Sequence, residues 1–464
     1  MGGFVIYDVE TTGLRKRFDQ ILQFAAVRTD EDLSPIDEIE LRGRLLPNIV
    51  PAPAALKITG TKIEDLIHPS RPSHFEMTCQ IHDVLTRWSP AMFLGFNSIQ
   101  FDEEFLRQAF YQCLKQPIFV TNLPGNTRGD ILKLARAVAT LRPDVLAAPV
   151  DESGRRVFRL GELARANGID PGSGHDAMAD VQTTLALCRL IRDGAPELWS
   201  GFMRFANKAA VLDFIRDEDA FAVFEPFGGS QDVHCVTRIG ISPNDQNAHF
   251  VLDLGHDLDR LRKMAHSELV AAIRDERVVR KLKVNASAIV AQIWELAPHQ
   301  TGVTEADLAH DARSVKGDTD FVCRLNLAAA ECEPVWPPSP HVEMQIYDGF
   351  IKDADAALCV GFHRVSWEQR LAFVQKFQDG RLKRLAQRLI YFERPDLLAP
   401  DRRTAMADEV ERRVCGLASD SPWLTIPGAL EEIAGLLAKD FGGLDHPLQA
   451  LKAHFTERLA RSLN

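Results

Sequence analysis

The segment Phe4-Val-Ile-Tyr-Asp-Val9 constrains this chain more than any other. It is short, nearly continuous in apolar residues and rich in β-branched and aromatic side chains, the composition of a buried central strand. Asp8 and Glu10 stand two apart at its end, so both carboxylates leave the same face. Two acids on one face of such a strand are costly unless they reach water or a cation offsets their charge. The pair alone leaves both readings open.

Ile21–Arg28 and Ile39–Leu46 are predicted as the next strands, after Gly13 closes the first. Helical spacing follows over Phe75–Trp88, then a short strand at Phe93–Phe96. A helix from Asp102 to Cys113 aligns Phe105, Leu106, Ala109, Phe110 and Cys113 in one stripe. Gly129–Ala139 and Leu160–Ala166 continue the helical pattern, and Asn167-Gly168 ends the latter. A Gly/Pro/Ser loop, Asp170–Gly174, leads into a helix from Ala177 to Arg192. Strands followed by strand–helix alternation indicate an α/β domain with a mixed sheet ending near residue 200. Beyond Asn207, strands are predicted at Ala220–Phe227, His234–Ile241, His249–Leu254 and Ala288–Leu296. The Pro-rich Pro334–Pro340 reads as a linker, and Met344–Asn464 is mostly helical in pattern. The expected domains are 1–200, 201–340 and 341–464.

The 464 residues are 45% hydrophobic and 26% charged, ordinary values for a soluble globular chain. Charges interrupt every apolar run before the roughly 20 residues a membrane helix needs. MGGFVIYDVETTG lacks a basic n-region, so a secretory leader is not expected. Eight scattered cysteines form no CxxC pair, which disfavours a zinc site and fits reduced thiols in a cytoplasmic protein. The net charge of −11 does not exclude a polyanionic partner, because screening limits repulsion to about 8–10 Å.

Asp102 opens a predicted helix, where an Asp serves as an N-cap as readily as a ligand. His175 and Asp180 lie five apart, about 140° round a helix, so they share no face if both are helical. The Gly-rich loop therefore places His175 before the helix and Asp180 in its first turn. Four carboxylates and a histidine at a strand end, a helix start and a helix first turn form a conjunction that no member makes alone. The motifs Asp8-Val-Glu10-Thr-Thr-Gly, Asn97-x-x-x-Phe101-Asp102 and His175-x-Ala-x-x-Asp180 resemble the DEDDh exonucleases of the ribonuclease-H-like fold. Oxygen-only ligands suit Mg²⁺, with Mn²⁺ as a substitute, and disfavour zinc. Phosphodiester hydrolysis is served by two such ions about 3.5–4 Å apart, and a neutral imidazole can take the proton of water. The expected metal ligands are Asp8, Glu10, Asp102 and Asp180, and the expected general base is His175. The resemblance implies that Asp102 acts largely through metal-bound water.

The likeness extends to the bacterial exonuclease I family, through Phe24-Ala-Ala-Val-Arg-Thr-Asp30, Ile58-Thr-Gly60, Phe158-Arg-Leu160, Ala166-Asn-Gly-Ile169 and Gln345-Ile-Tyr-Asp-Gly-Phe-Ile-Lys-Asp-Ala-Asp355. It implies an SH3-like β-rich domain and a C-terminal α-helical domain after the exonuclease domain, clamped around single-stranded DNA with a free 3′ end. The implied activity is 3′→5′ hydrolysis to 5′-mononucleotides, performed by a monomer. A single-strand DNA-binding protein is a candidate partner. Matching substrate contacts are Arg159, whose fork suits phosphate, Phe158 as a stacking ring, Glu10, Arg107, Arg136, Arg142, Lys208 and Asn247. The cluster Arg280, Lys281 and Lys283 adds a further expected contact. Two departures stand out: the Asp-Val-Glu-Thr-Thr-Gly start is nearer to proofreading-type nucleases, and Ile118 and Asn122 replace aromatic DNA contacts of the family. A proofreading-like or RNA-trimming nuclease and a non-catalytic single-strand-binding scaffold remain as alternatives.

Overall fold

β1 (Phe4–Thr11) is buried because strands flank it on both sides and helices cover both faces. The computed structural model describes residues 2–464 apart from 225–232, 297–301, 336, 417–420, 439–445 and 463–464. β2 (Ile21–Thr29) and β3 (Pro35–Arg42) extend the sheet antiparallel on one side. β4 (Met92–Gly95) and β5 (Thr127–Asp130) extend it parallel on the other, giving the mixed order β3-β2-β1-β4-β5.

The period of two along β1 sorts its side chains between two cores. Val5, Tyr7 and Val9 pack with Phe93, Phe105 and Phe110, under the helices His74–Arg87 and Asp102–Gln112. Phe4 and Ile6 pack with Leu94, Val138 and Leu185, under Ile131–Leu141 and Ala177–Gly194. Asp8 and Glu10 continue this second row, so they emerge on the face covered by Ala177–Gly194. The first core is shared with the C-terminal region. Phe362, Leu382 and Leu385, from Asp353–Arg364 and Gly380–Glu393, lie in the same cluster as Phe93 and Phe110. The later helices Pro400–Cys415, Ile426–Ala438 and His446–Ser462 cover Leu22, Leu56 and Leu66.

A second five-stranded sheet, antiparallel throughout, stands where the SH3-like lobe is expected. It comprises β6 (Phe221–Val223), β7 (His234–Ile241), β8 (Ala248–Asp253), β9 (Val279–Lys283) and β10 (Val290–Gln292), in the order β10-β6-β7-β8-β9. Helices at Leu258–Lys263, His266–Ala271, Glu305–Gly317 and Thr319–Glu331 pack with it.

Several boundaries move from expectation. The third strand is Pro35–Arg42 rather than Ile39–Leu46, because its residues pair with β2 from Thr29 back to Gln23. Gly129 and Asp130 end β5 instead of starting a helix. They pair with Leu94 and Gly95, and Asp130 then caps Ile131–Leu141. β9 escaped notice because Arg280, Lys281 and Lys283 made it look like a charged surface run. The predicted strand Ala220–Phe227 shortens to Phe221–Val223, with 225–227 outside the described residues. Past Gln292 the chain turns into a 3₁₀ segment, Ile293–Glu295. The described cysteines are all free, and no helix among the described residues is long and apolar enough to cross a membrane.

Candidate active site

β4 ends at Gly95, and its pairing with β1 ends at Ile6↔Leu94. Beyond that point β1 has no parallel neighbour, so its amides need other acceptors. Asp102, first residue of its helix, supplies one: Oδ1 accepts from the Val9 amide at 3.0 Å. This bond pins Asp102, only 3% exposed, between the two acids of β1. At Gly95 any Cβ would lie 2.9 Å from the Tyr7 carbonyl oxygen, so only glycine lets the chain leave β4 this close to β1.

Asp180 sits in the first turn of Ala177–Gly194, as the spacing predicted. Its carboxylate joins those of Asp8 and Glu10, with one oxygen of each within 4.8 Å of the others. Asp102 lies beside this group of three rather than in it, held back by its bond to Val9.

The electrostatics are those of a site lacking countercharge. Burial, and then the charges of Asp102, Asp180 and Glu10, push the Asp8 carboxyl well above the usual carboxylate range. Glu10 rises to about 7 through burial and then Asp180 and Asp176, opposed by Arg42. Burial lifts Asp102 to about 8. It lifts Asp180 to about 6, against the favourable influence of His175. Converging carboxylates that resist ionisation fit a divalent cation, whose charge would offset theirs.

His175 precedes the helix on an exposed loop with φ 64°, as expected from the Gly-rich approach. Asp176 fixes the loop. Its Oδ1 accepts from the amides of Met178 and Ala179, while Oδ2 accepts from Gln23 Nε2 (3.0 Å) and Arg42 Nη2 (2.6 Å). Gln23 lies opposite Glu10 in the β1–β2 register, and its Oε1 takes the Ala177 amide. Sequence reasoning missed Gln23, Arg42 and Asp176. The one available signal was the Asp after His175, a good N-cap type at a helix start.

Two domain models match the chain. Residues 5–188 fit the exonuclease domain and residues 340–456 the exonuclease I C-terminal domain. Exodeoxyribonuclease I of Escherichia coli is 28% identical over 371 residues, 76% of this chain and 78% of that protein. Its Haemophilus influenzae counterpart is 28% identical over 401 residues, covering 82% and 84%. The chain resembles exodeoxyribonuclease I along most of its length. The crystal structure of E. coli exonuclease I in complex with a dA16 oligonucleotide superposes with a TM-score of 0.89 at 24% identity, covering 98% and 99% of the two chains. The exonuclease I fold thus spans both sheets and the C-terminal helices.

Within this exonuclease I fold the expected DNA contacts divide. Arg159 is exposed at the start of Leu160–Ala166 and pairs at the surface with Glu162 at 2.8 Å. Lys208 and Asn247 meet within the second lobe, Nζ donating to Oδ1 at 2.5 Å. The remaining expected contacts have partners within the protein. Phe158 is 9% exposed and packs in the core, with the Arg136 guanidinium 4.8 Å from its ring centroid, so neither offers a free face to a base. Arg280 is half-buried and donates through Nε and Nη2 to Asp253, which also holds His234, so it braces β7, β8 and β9. Arg107 is spent on Glu103 and Glu104. Arg142 is partnered by Asp144 and Glu197. Lys281 and Lys283 stay partly exposed, paired with Glu333 and Asp245.

Proposed function

We propose that the chain degrades single-stranded DNA from its 3′ end to 5′-mononucleotides, with Asp8, Glu10, Asp102 and Asp180 holding two Mg²⁺ ions and His175 as general base. The observation that carries this reading is the convergence of Asp8, Glu10 and Asp180, joined by an exposed histidine on an anchored loop. Bound divalent ions would supply charge stabilisation for the attacked phosphodiester and acidify water. Asp8, Glu10 and Asp180 would bind directly. Asp102, with one oxygen committed to Val9, would contribute its second oxygen or act through water. His175 accepts the proton of the attacking water. The Asp176 anchor orients the imidazole loop toward the carboxylates. All five groups come from one chain, which supports a monomer as the working unit.

The proposal extends to the strand path. Lys208, bonded to Asn247, lines a cavity with Asn122 and Arg128 beside Gly2 and Met92, where β1 begins. Asp8 and Glu10 stand toward the other end of β1, four and six residues from Phe4 and so about 13–20 Å away. A strand reaching both is held well away from the cut. Matched single-stranded DNA, duplex DNA and RNA, digested with Mg²⁺, test the substrate. Single-stranded DNA should be consumed fastest; equal or faster loss of RNA would overturn the assignment.

A further inference from the structure

Helix Asp102–Gln112 leads from the carboxylates to Arg107, about 7.5 Å along its axis. There two rings stand partly in solvent: Phe119, 37% exposed, and Tyr347, 48% exposed, with centroids 6.3 Å apart and planes 31° from parallel. Phe119 belongs to the nuclease domain, while Tyr347 ends the 3₁₀ turn Val342–Tyr347 beyond the linker, so two regions distant in sequence supply one ring each.

The rings are held. The Arg107 guanidinium lies 5.2 Å from the Phe119 centroid, and that of Arg17 lies 4.9 Å from the Tyr347 centroid. Glu104 ties the group together. It accepts the Tyr347 hydroxyl at 2.9 and 3.0 Å and Arg107 Nη1 at 2.7 Å, and it pairs with Arg17 at 3.6 Å. Packing alone would bury such rings. Here cations and a carboxylate fix their orientation and leave surface open, which lowers the ordering cost of stacking a flat ligand on them. Ile118 is 6% exposed and turns into the core, so the exposed ring falls one residue later in the chain.

We propose that Phe119 and Tyr347 form a stacking site for an unpaired base of the substrate strand, close to the bond that is cut. The inference rests on the reading of the chain as a single-strand nuclease. Stacking on an aromatic ring tolerates any base and excludes paired ones, whose faces are occupied. The site therefore serves strand selectivity rather than sequence selectivity.

Binding without divalent ions, where no turnover occurs, tests the site. Oligonucleotides lacking one base at a time near the 3′ end, with the sugar–phosphate intact, should bind the native chain equally except at one position. Removing the base there should weaken binding by about 5- to 100-fold, the range for one stacked base. Phe119→Leu should lose a similar factor on the intact strand, become insensitive to that position, and keep its thermal midpoint; Phe119→Tyr should restore the position dependence. Phe119→Leu binding intact strands as tightly as the native chain would overturn the proposal. So would an equal loss with and without the base, the mark of a structural brace. Failure of the native chain to cut single-stranded DNA in Mg²⁺ is scored separately, since it strikes the function and not the ring contact.

Discussion

Glu10 and Asp102, at about 7 and 8, bind protons in the folded state that the unfolded chain releases near pH 4. The native state therefore holds more protons between those limits. These acids favour folding fully below about pH 4, and their contribution is lost as the pH rises toward about 8. A divalent cation needs the ionised carboxylates and reverses the penalty where it is largest. Mg²⁺ should consequently raise the thermal midpoint more at about pH 8 than at about pH 5.5. Asp8→Asn should abolish most of that difference together with hydrolysis. An undiminished, pH-dependent Mg²⁺ shift in Asp8→Asn, followed by scanning calorimetry, would place the ion elsewhere.

At the scale of elements, β9 shows how far residue type can mislead. Arg280, Lys281 and Lys283 look alike in sequence, yet the strand turns Arg280 inward to Asp253 and His234 and leaves the lysines partly in solvent. Arg280→Ala removes a charged donor from a buried carboxylate that keeps His234 and the Gly255 amide, and should cost about 1.5–3 kcal/mol in a denaturant titration. Lys281→Glu with Lys283→Glu should change stability far less. The acids of the site were legible for the opposite reason. Asp8, Glu10, Asp102 and Asp180 are types that packing does not need at a strand end, a helix start and a first turn, so their positions announced a purpose. Gln23 left no such trace, because its role comes from standing opposite Glu10, a register that only strand pairing defines. An aromatic beside an arginine looks the same in sequence whether the ring is open or, like Phe158, buried.

On the scale of the whole molecule, the C-terminal helices complete the core of the nuclease sheet, and the second sheet carries contacts at its far end. On the proposed reading, the substrate strand runs along the lobes beyond residue 200. Lys208→Glu should make degradation of long strands distributive and lower the slope of log affinity against log salt by about 0.7 for one lost contact. Cleavage of very short oligonucleotides, which do not reach the start of β1, should barely change. Equal loss on both lengths, measured by single-turnover digestion, would tie Lys208 to folding instead.

The most direct measurement follows a 5′-labelled single strand in Mg²⁺ with the native chain, Asp180→Asn and His175→Ala. The native chain should shorten the strand stepwise from its 3′ end and release 5′-mononucleotides. Asp180→Asn should be inert, and His175→Ala slower by about 10²–10⁴-fold. Loss of the 5′ label first, or undiminished hydrolysis by Asp180→Asn, would contradict the assignment of this cluster as the hydrolytic centre.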